Sequence, residues 1–240
     1  MLQELSHMLD AAPGDASRGD YQRAVLDDNC LGKRTASTRK LSFHRLSELY
    51  GVDRRLILFR VLRELWEQPQ DSRPLLGLML ALARDPLLRA TAPTVLRMPI
   101  GHELARQPMK NGLAMVAGAR LNPDSLDKVV RNASSSWTQS GHLRGRSRKT
   151  RQRVRATPAA AAYALLLGFG TGSRGRLLFE TPWCSILDAT AGELLELAVA
   201  ARGLGLLDLK QSGSIIEVSF AAMLAGPRSG ATNGAHRQVG

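Results

Sequence analysis

Arginine is concentrated in one short segment, which reads Leu143-Arg-Gly-Arg-Ser-Arg-Lys-Thr-Arg-Gln-Arg-Val-Arg155. Its six arginines form two triplets, each with the period of two that places side chains on one face of a β-strand. The triplets are Arg144, Arg146, Arg148 and Arg151, Arg153, Arg155. A hairpin with its tip at Lys149-Thr150 would pair Arg148 with Arg151, Arg146 with Arg153 and Arg144 with Arg155. The spacing therefore predicts six guanidinium groups on one face.

Such a face is chemically suited to a polyanion. Like charges placed opposite each other destabilise a sheet, and phosphates lying against the face would remove that repulsion. The planar guanidinium pairs bidentately with phosphate and also reaches guanine edges or a narrow minor groove. Two other interpretations remain open: a plain flexible basic loop, and an arm that becomes ordered only on meeting RNA or an acidic protein.

The distribution of charge favours the same partner. The 52 residues between Asp127 and Glu180 contain no acidic residue and hold eleven of the 33 basic ones. The rest of the chain has 22 basic and 21 acidic residues, so one segment supplies almost all of the net charge of +12. A nearly neutral protein with one strongly basic segment indicates a polyanionic partner.

Uncharged polar residues precede the arginines and extend the predicted interface. Their hydroxyl and amide groups are typical contacts to phosphate, sugar and adenine. The alternative is that the serines only weaken a helix near a loop. The full set predicted to bind nucleic acid is Arg131, Asn132, Ser135, Ser136, Thr138, Gln139, His142, Arg144, Arg146, Arg148, Lys149, Arg151, Arg153, Arg155, Arg174 and Arg176.

A second group of basic residues lies nearer the N-terminus: Lys33, Arg34, Arg39, Lys40, Arg45, Arg54 and Arg55. It is interpreted either as a solvated helix face or as a second contact to the nucleic-acid backbone.

No catalytic motif occurs with the residue spacing that it requires. Gly32-Lys33 lacks the earlier glycine of a phosphate-binding loop, and His102-Glu103 is not part of a zinc-binding pair of histidines. We therefore expect a binding protein rather than an enzyme, with no catalytic residue, metal or cofactor.

The elements that position these residues are expected to be mainly helical. Residues 1–25 are predicted to be a flexible lead-in with a short helix near Leu2–Leu9. Residues 26–120 are predicted to be a helical bundle, with helices at 54–66 after an Asp53 cap, at 74–84 and at 100–119. No alternating strand pattern occurs in this half.

Residues 121–224 are predicted to form a winged-helix-like domain with an arginine-rich insert at 143–156. Helices are expected to begin at Asn122-Pro123, Thr157-Pro158, Thr181-Pro182 and Thr190. A short strand is predicted over Arg176–Phe179, and a hairpin joins 206–210 to 215–220 across turn residues. The tail, 225–240, is predicted to be disordered. The recognition-helix position, 192–202, carries Glu193 and Glu196 and is a poor reader of DNA.

On this interpretation the chain resembles the BrxA family of bacterial BREX phage-defence systems. The likeness lies in the run Lys33…Ser37-Thr38-Arg39…Arg45-Leu46, the helical body, and a C-terminal helix and hairpin ending at Glu217-Val218-Ser219-Phe220. Members of that family are small helical proteins, likened to the RNA-binding antiterminator NusB and regarded as DNA-binding through winged-helix parts. The resemblance implies duplex-DNA binding within a complex of defence subunits. RNA binding and a scaffold role remain the alternatives.

The cellular setting is expected to be the cytoplasm. Two distant cysteines, Cys30 and Cys184, fit a reducing compartment. The longest apolar stretches, 75–83 and 159–167, are too short to span a bilayer, so no membrane partner is expected.

Overall fold

A computed structural model describes residues 1–118, 122–213 and 215–225, and the described chain is mainly helical. The first half contains α1 (Leu2–Asp10), α2 (Arg18–Leu26), α3 (Ala36–Tyr50), α4 (Ile57–Leu65), α5 (Arg73–Arg84), α6 (Pro86–Ala90), α7 (Ala92–Leu96) and α8 (Arg106–Ala117). The second half contains α9 (Pro123–Gln139), β1 (Leu143–Arg144), β2 (Thr150–Arg151), α10 (Pro158–Gly170), α11 (Pro182–Ser185), α12 (Ala191–Gly203), β3 (Asp208–Ser212), β4 (Ile215–Ser219) and α13 (Ala221–Ala225). No helix in these ranges is long and apolar enough to cross a membrane.

The N-terminal residues are part of the core. The short helix predicted near Leu2–Leu9 is present as α1, whereas the prediction that 1–25 is a flexible lead-in is wrong. Helix α1 packs against α2 and α5, and its Leu5, Met8 and Leu9 are buried. Gly77 on α5 makes room for this contact, because a Cβ there would lie 2.4 Å from a methyl group of Leu2. The sequence pattern of 1–25 alone does not indicate this packing, because the apolar residues of α5 that α1 contacts lie far along the chain.

Capping chemistry sets three helix starts as predicted. Asn122, Thr157 and Thr190 each accept a backbone N–H at the start of α9, α10 and α12. Gly51 ends α3 in the left-handed conformation.

Two helix predictions in the first half need correction. Asp53 accepts the N–H of Arg55 in a local turn, so the helix predicted at 54–66 begins only at Ile57. The helix predicted at 100–119 begins at Arg106, and the residues before it, 101–104, run alongside β2.

Helix α10 lies at the centre of the molecule. Every residue from Ala159 to Gly168 is buried, and the helix packs against α4, α5, α11 and α12. A helix that is apolar on all sides belongs in the interior, which explains the run of alanine and leucine. The buried side chains form one cluster from Leu5 to Met223, so the core is shared across the domain boundary predicted at residue 121.

The C-terminal hairpin is confirmed, whereas the short strand before it is not. Strands β3 and β4 are antiparallel, with Asp208 opposite Ser219 and Ser212 opposite Ile215. The predicted strand at Arg176–Phe179 is instead a 3₁₀-helix, Gly175–Glu180, that packs against β4. The tail prediction, 225–240, lies outside the described residues from 226 onward.

The packing of α1 predicts that Leu5→Ala lowers the free energy of unfolding by about 2–5 kcal/mol, because it leaves a cavity at a fully buried site. Leu177→Ala, at a side chain that is 64% exposed, should change it by less than about 0.5 kcal/mol. Urea unfolding of both variants is the measurement. Equal effects would show that α1 is not part of the core.

Candidate nucleic-acid interface

The arginine-rich segment forms a hairpin, but its register differs from the predicted one. Leu143 lies opposite Arg151 and Arg144 opposite Thr150, so a five-residue turn, 145–149, replaces the tip predicted at Lys149-Thr150. Residues directly opposite each other share a face of a two-stranded sheet. Arg151 therefore shares the face of the buried Leu143, and Arg144 lies on the exposed face. The prediction of six arginines on one face is wrong.

Gly145 determines where the turn begins. Its φ is +120°, and a Cβ at this position would lie 1.9 Å from the carbonyl oxygen of Arg148. No other residue type fits this close approach of the backbone to itself. The turn therefore starts at the glycine within Arg144-Gly-Arg146, which shifts the register away from the tip at Lys149-Thr150.

Arg151 is an internal anchor and not a surface contact, as only 1% of the residue is exposed. Its Nε donates to the carbonyl oxygen of Val95 at 3.0 Å, and its two terminal nitrogens donate to the Gln152 carbonyl and to Asp188 Oδ1. The other oxygen of Asp188 accepts the N–H of Val154 at 3.1 Å. One buried ion pair thus ties β2 to α7 and to the segment that precedes α12.

His142 is also buried and is likewise not a surface contact. Its Nε2 lies 2.8 Å from the carbonyl oxygen of Ile186, so Nε2 carries the proton, and Nδ1 accepts from the hydroxyl of Ser140 at 2.9 Å. The ring packs edge-on against Trp137. Burial lowers the pKa of His142 to about 4, and the nearby positive charge of Arg151 acts in the same direction. The imidazole is therefore neutral near pH 7.

A third segment stabilises the base of the hairpin. The N–H groups of Gly101 and Leu104 donate to the carbonyl oxygens of Arg151 and Lys149 at 2.8 and 2.7 Å. The N–H of Arg151 donates back to His102 at 2.9 Å. Because the backbone of β2 is bonded on both sides, the turn projects from an ordered base.

Three arginines occupy this turn and its first strand. Arg144, Arg146 and Arg148 are exposed, and none of them forms an ion pair with any residue that the structure describes. Lys149 instead turns inward, where its Nζ donates to the hydroxyl of Thr138 at 2.7 Å. Partial burial lowers the pKa of the Lys149 ammonium.

The two arginines after β2 lie on a neighbouring surface. Arg153 is exposed, donates to the carbonyl of Asp188 at 3.0 Å and pairs with Glu193 at 2.7 Å. Arg155 is also exposed and lines the same shallow groove, whose far side carries Glu193 and Glu196 of α12. An acidic helix therefore partly neutralises this second triplet.

The polar run on α9 does not join the arginine turn. Asn132, Ser135, Ser136 and Gln139 line a separate groove of about 680 Å³ beside α3. Gln139 Oε1 accepts the backbone N–H of Leu2 at 2.9 Å, so it stabilises the start of α1. Of the predicted hydrogen-bonding residues, Thr138 lies beside the turn, and it is bonded to Lys149.

The outlying arginines are dispersed. Arg131 is exposed on α9, where its positive charge helps to lower the pKa of Asp127, after the larger effects of Lys110. Arg174 lies over the ring of Phe169 at 3.7 Å, and Arg176 lies 3.8 Å from Glu180. Both follow the C-terminal end of α10, and this 13-residue helix extends about 20 Å from the end nearest Arg155.

The second basic cluster is partly used within the fold. Lys33 pairs with Glu4, Arg55 pairs with Asp53, and Arg54 donates to the carbonyl oxygen of Gly14. Its exposed members include Arg34, Lys40 and Arg45.

The residues that organise the site were not predicted from the sequence. Asp188 and the carbonyl oxygens of Val95 and Ile186 hold Arg151 and His142, yet they belong to segments without a charged or periodic pattern. The one available signal was the left-handed backbone tolerated by aspartate, since Asp188 has a φ of +49°.

The chain matches no family model, no curated protein and no solved structure in the three comparisons that were made. Among the residues that the structure describes, no three His, Cys, Asp or Glu side chains are grouped so that they could hold a metal ion.

The buried ion pair predicts a selective loss of stability. Asp188→Asn keeps the shape and the left-handed backbone but leaves the Arg151 guanidinium without its counter-charge, so unfolding should become easier by about 3 kcal/mol. Asp208→Asn, at an exposed position on β3, should cost less than about 0.5 kcal/mol. Urea unfolding distinguishes the two variants, and a similar small cost for both would contradict the anchoring role.

His142 predicts a specific pH dependence. Its folded-state pKa of about 4 lies below the ordinary value of 6.5, so the unfolded chain binds the proton more readily. Stability should therefore fall as the pH decreases from about 6.5 to about 4, by about 3 kcal/mol in total. His142→Gln should remove this part of the slope, whereas His44→Gln, at an exposed site on α3, should keep it. Unfolding measured across this pH range would contradict the assignment if both variants retained the wild-type slope.

Proposed function

We propose that this protein binds the phosphate backbone of double-stranded DNA, with little dependence on sequence, through the arginine turn formed by Arg144, Arg146 and Arg148. The main support is that all three side chains are exposed and form no ion pair within the described chain. They lie on a turn whose base is hydrogen-bonded. Arginine side chains of this kind can neutralise phosphates without first breaking an internal ion pair.

The ordered base of the turn supports this function energetically. Binding through a disordered arm costs conformational entropy when the arm becomes ordered. Here the backbone below the turn is held by Arg151, His142 and residues 101–104, so less of the binding energy is lost to ordering. Arg155 adds a further exposed charge, and Arg153 adds one if phosphate displaces Glu193.

We also propose that the C-terminal elements form a winged-helix-like unit. Helices α10, α11 and α12 pack together and are followed by the β3–β4 hairpin. In this unit α12 is not the reading helix, because Glu193 is committed to Thr190 and Arg153 and the exposed Glu196 repels phosphate. The DNA contact is instead assigned to the turn.

The number of exposed arginines predicts the salt dependence. Four to five phosphate contacts, from the turn together with Arg155 and Arg153, give a slope of log K against log salt of about −4. This is shallower than the slope that six to eight contacts would produce.

The test is a fluorescence-anisotropy titration of a random-sequence DNA duplex at several salt concentrations. Arg144, Arg146 and Arg148 changed together to Ser should weaken binding and make the slope shallower by about 3 units. The matched variant changes Arg34, Lys40 and Arg45 to Ser and removes the same charge from α3 and the segment before it. It should bind as the wild type does.

Each contrary outcome identifies a different error. Equal losses in both variants would mean that binding follows net charge and not the turn. An absence of binding by the wild type at low salt would exclude DNA. Stronger competition by structured RNA than by duplex DNA of equal length would make RNA the partner.

The wider biological role is part of the same proposal and rests on the sequence resemblance alone. As a BrxA-like protein, the chain would bind DNA as an accessory of a bacterial phage-defence complex, without cleaving it. Incubation of DNA with the purified protein and magnesium or manganese would contradict the non-enzymatic role if cleavage persisted through purification.

A further inference from the structure

A cleft of about 430 Å³ lies between α7 and α11, close to the base of the arginine turn. Its apolar lining includes Pro93 and Leu96 on one side and Trp183 on the other. This volume lies within the range of about 300–1,000 Å³ that is typical of sites for small organic groups.

Trp183 is the only tryptophan with an accessible side chain. Trp66 and Trp137 are 1% and 0% exposed, whereas Trp183 is partly exposed and lines the cleft. A partly exposed indole in an apolar cleft is the side chain that nucleobases stack on most favourably.

The charged lining of the cleft complements a nucleotide. Arg97 is an exposed lining residue that offers a guanidinium group to a phosphate. Arg89 is also exposed in the lining, and one of its terminal nitrogens donates to the carbonyl oxygens of Leu82 and Ala83. Glu180 is also exposed, and a carboxylate accepts a hydrogen bond from the amino group of cytosine or adenine. The cleft therefore combines an aromatic wall, cations and one base-edge acceptor.

Both walls are hydrogen-bonded to the base of the arginine turn. The α7 wall is joined through the carbonyl of Val95 to Arg151 at 3.0 Å, and the α11 wall is joined through the carbonyl of Ile186 to His142 at 2.8 Å. The cleft and the turn are thus built on the same hydrogen-bonded base.

We infer that this cleft binds a single unpaired nucleobase, stacked on Trp183, from the DNA whose backbone the arginine turn holds. The inference rests on the proposed function and makes it more specific: the preferred ligand is a duplex that carries an unpaired base. The small number of aromatic residues fits this role, because one indole serves one extruded base and no extended single strand is required.

The experiment compares a blunt duplex with the same duplex carrying one unpaired adenine, by fluorescence anisotropy. The wild type should bind the second DNA about tenfold more tightly, as expected for one stacked base. Trp183→Ala should lose this preference and keep its affinity for the blunt duplex. Trp183→Phe should keep most of the preference, which controls for packing.

Two further readouts do not depend on removing the indole. The unpaired-adenine duplex should quench the tryptophan fluorescence of the wild type more than the blunt duplex does, since the other two tryptophans are buried. Glu180→Ala, at an exposed position, removes the acceptor and should reduce the preference for adenine over a purine that lacks the amino group.

The outcomes separate this inference from the proposal about the turn. Equal binding of both DNAs by the wild type, or a preference unchanged in Trp183→Ala, overturns the inference and leaves the turn's role intact. Binding of neither DNA overturns both. A preference that survives in the Arg144, Arg146 and Arg148 variant supports the cleft and contradicts the role of the turn.

Discussion

The buried ion pair between Arg151 and Asp188 is the interaction on which the arrangement of the site depends. A guanidinium that is 1% exposed is costly to bury unless its charge and its N–H groups are satisfied. Here the carboxylate supplies the charge and two backbone carbonyl oxygens accept the remaining hydrogen bonds. The pair connects β2, α7 and the segment that precedes α12.

The Arg151–Asp188 ion pair gives the arginines of 144–155 different roles. Arg151 is used for folding, and Arg153 is partly neutralised by Glu193, whereas the residues before β2 are exposed. Glu193 of α12 has a structural use, because it caps the helix and pairs with Arg153. The hydrogen bonds of Arg151 and His142 to Val95 and Ile186 also tie the walls of the cleft beside Trp183 to the base of the turn.

The sequence by itself determined the features that depend on local chemistry. The starts of α9, α10 and α12 follow from Asn122, Thr157 and Thr190, whose side chains bond to N–H groups within the next turn. The burial of α10 follows from its unbroken apolar composition. The mainly helical class, the C-terminal hairpin and the concentration of arginine could all be predicted, because each needs only a few neighbouring residues.

Only the tertiary structure decided which of these residues face solvent. Alternation alone cannot set a register, since a hairpin of different turn length reverses the face on which a strand residue lies, and Gly145 sets that length. The burial of Arg151 depends on Asp188 and Val95, which are 37 and 56 residues away in sequence. The burial of His142 depends on Ile186, which is 44 residues away. The packing of α1 has the same origin: a short helix near Leu2–Leu9 could be predicted, but its few apolar residues are buried against α2 and α5, and that contact has no signature in the segment alone.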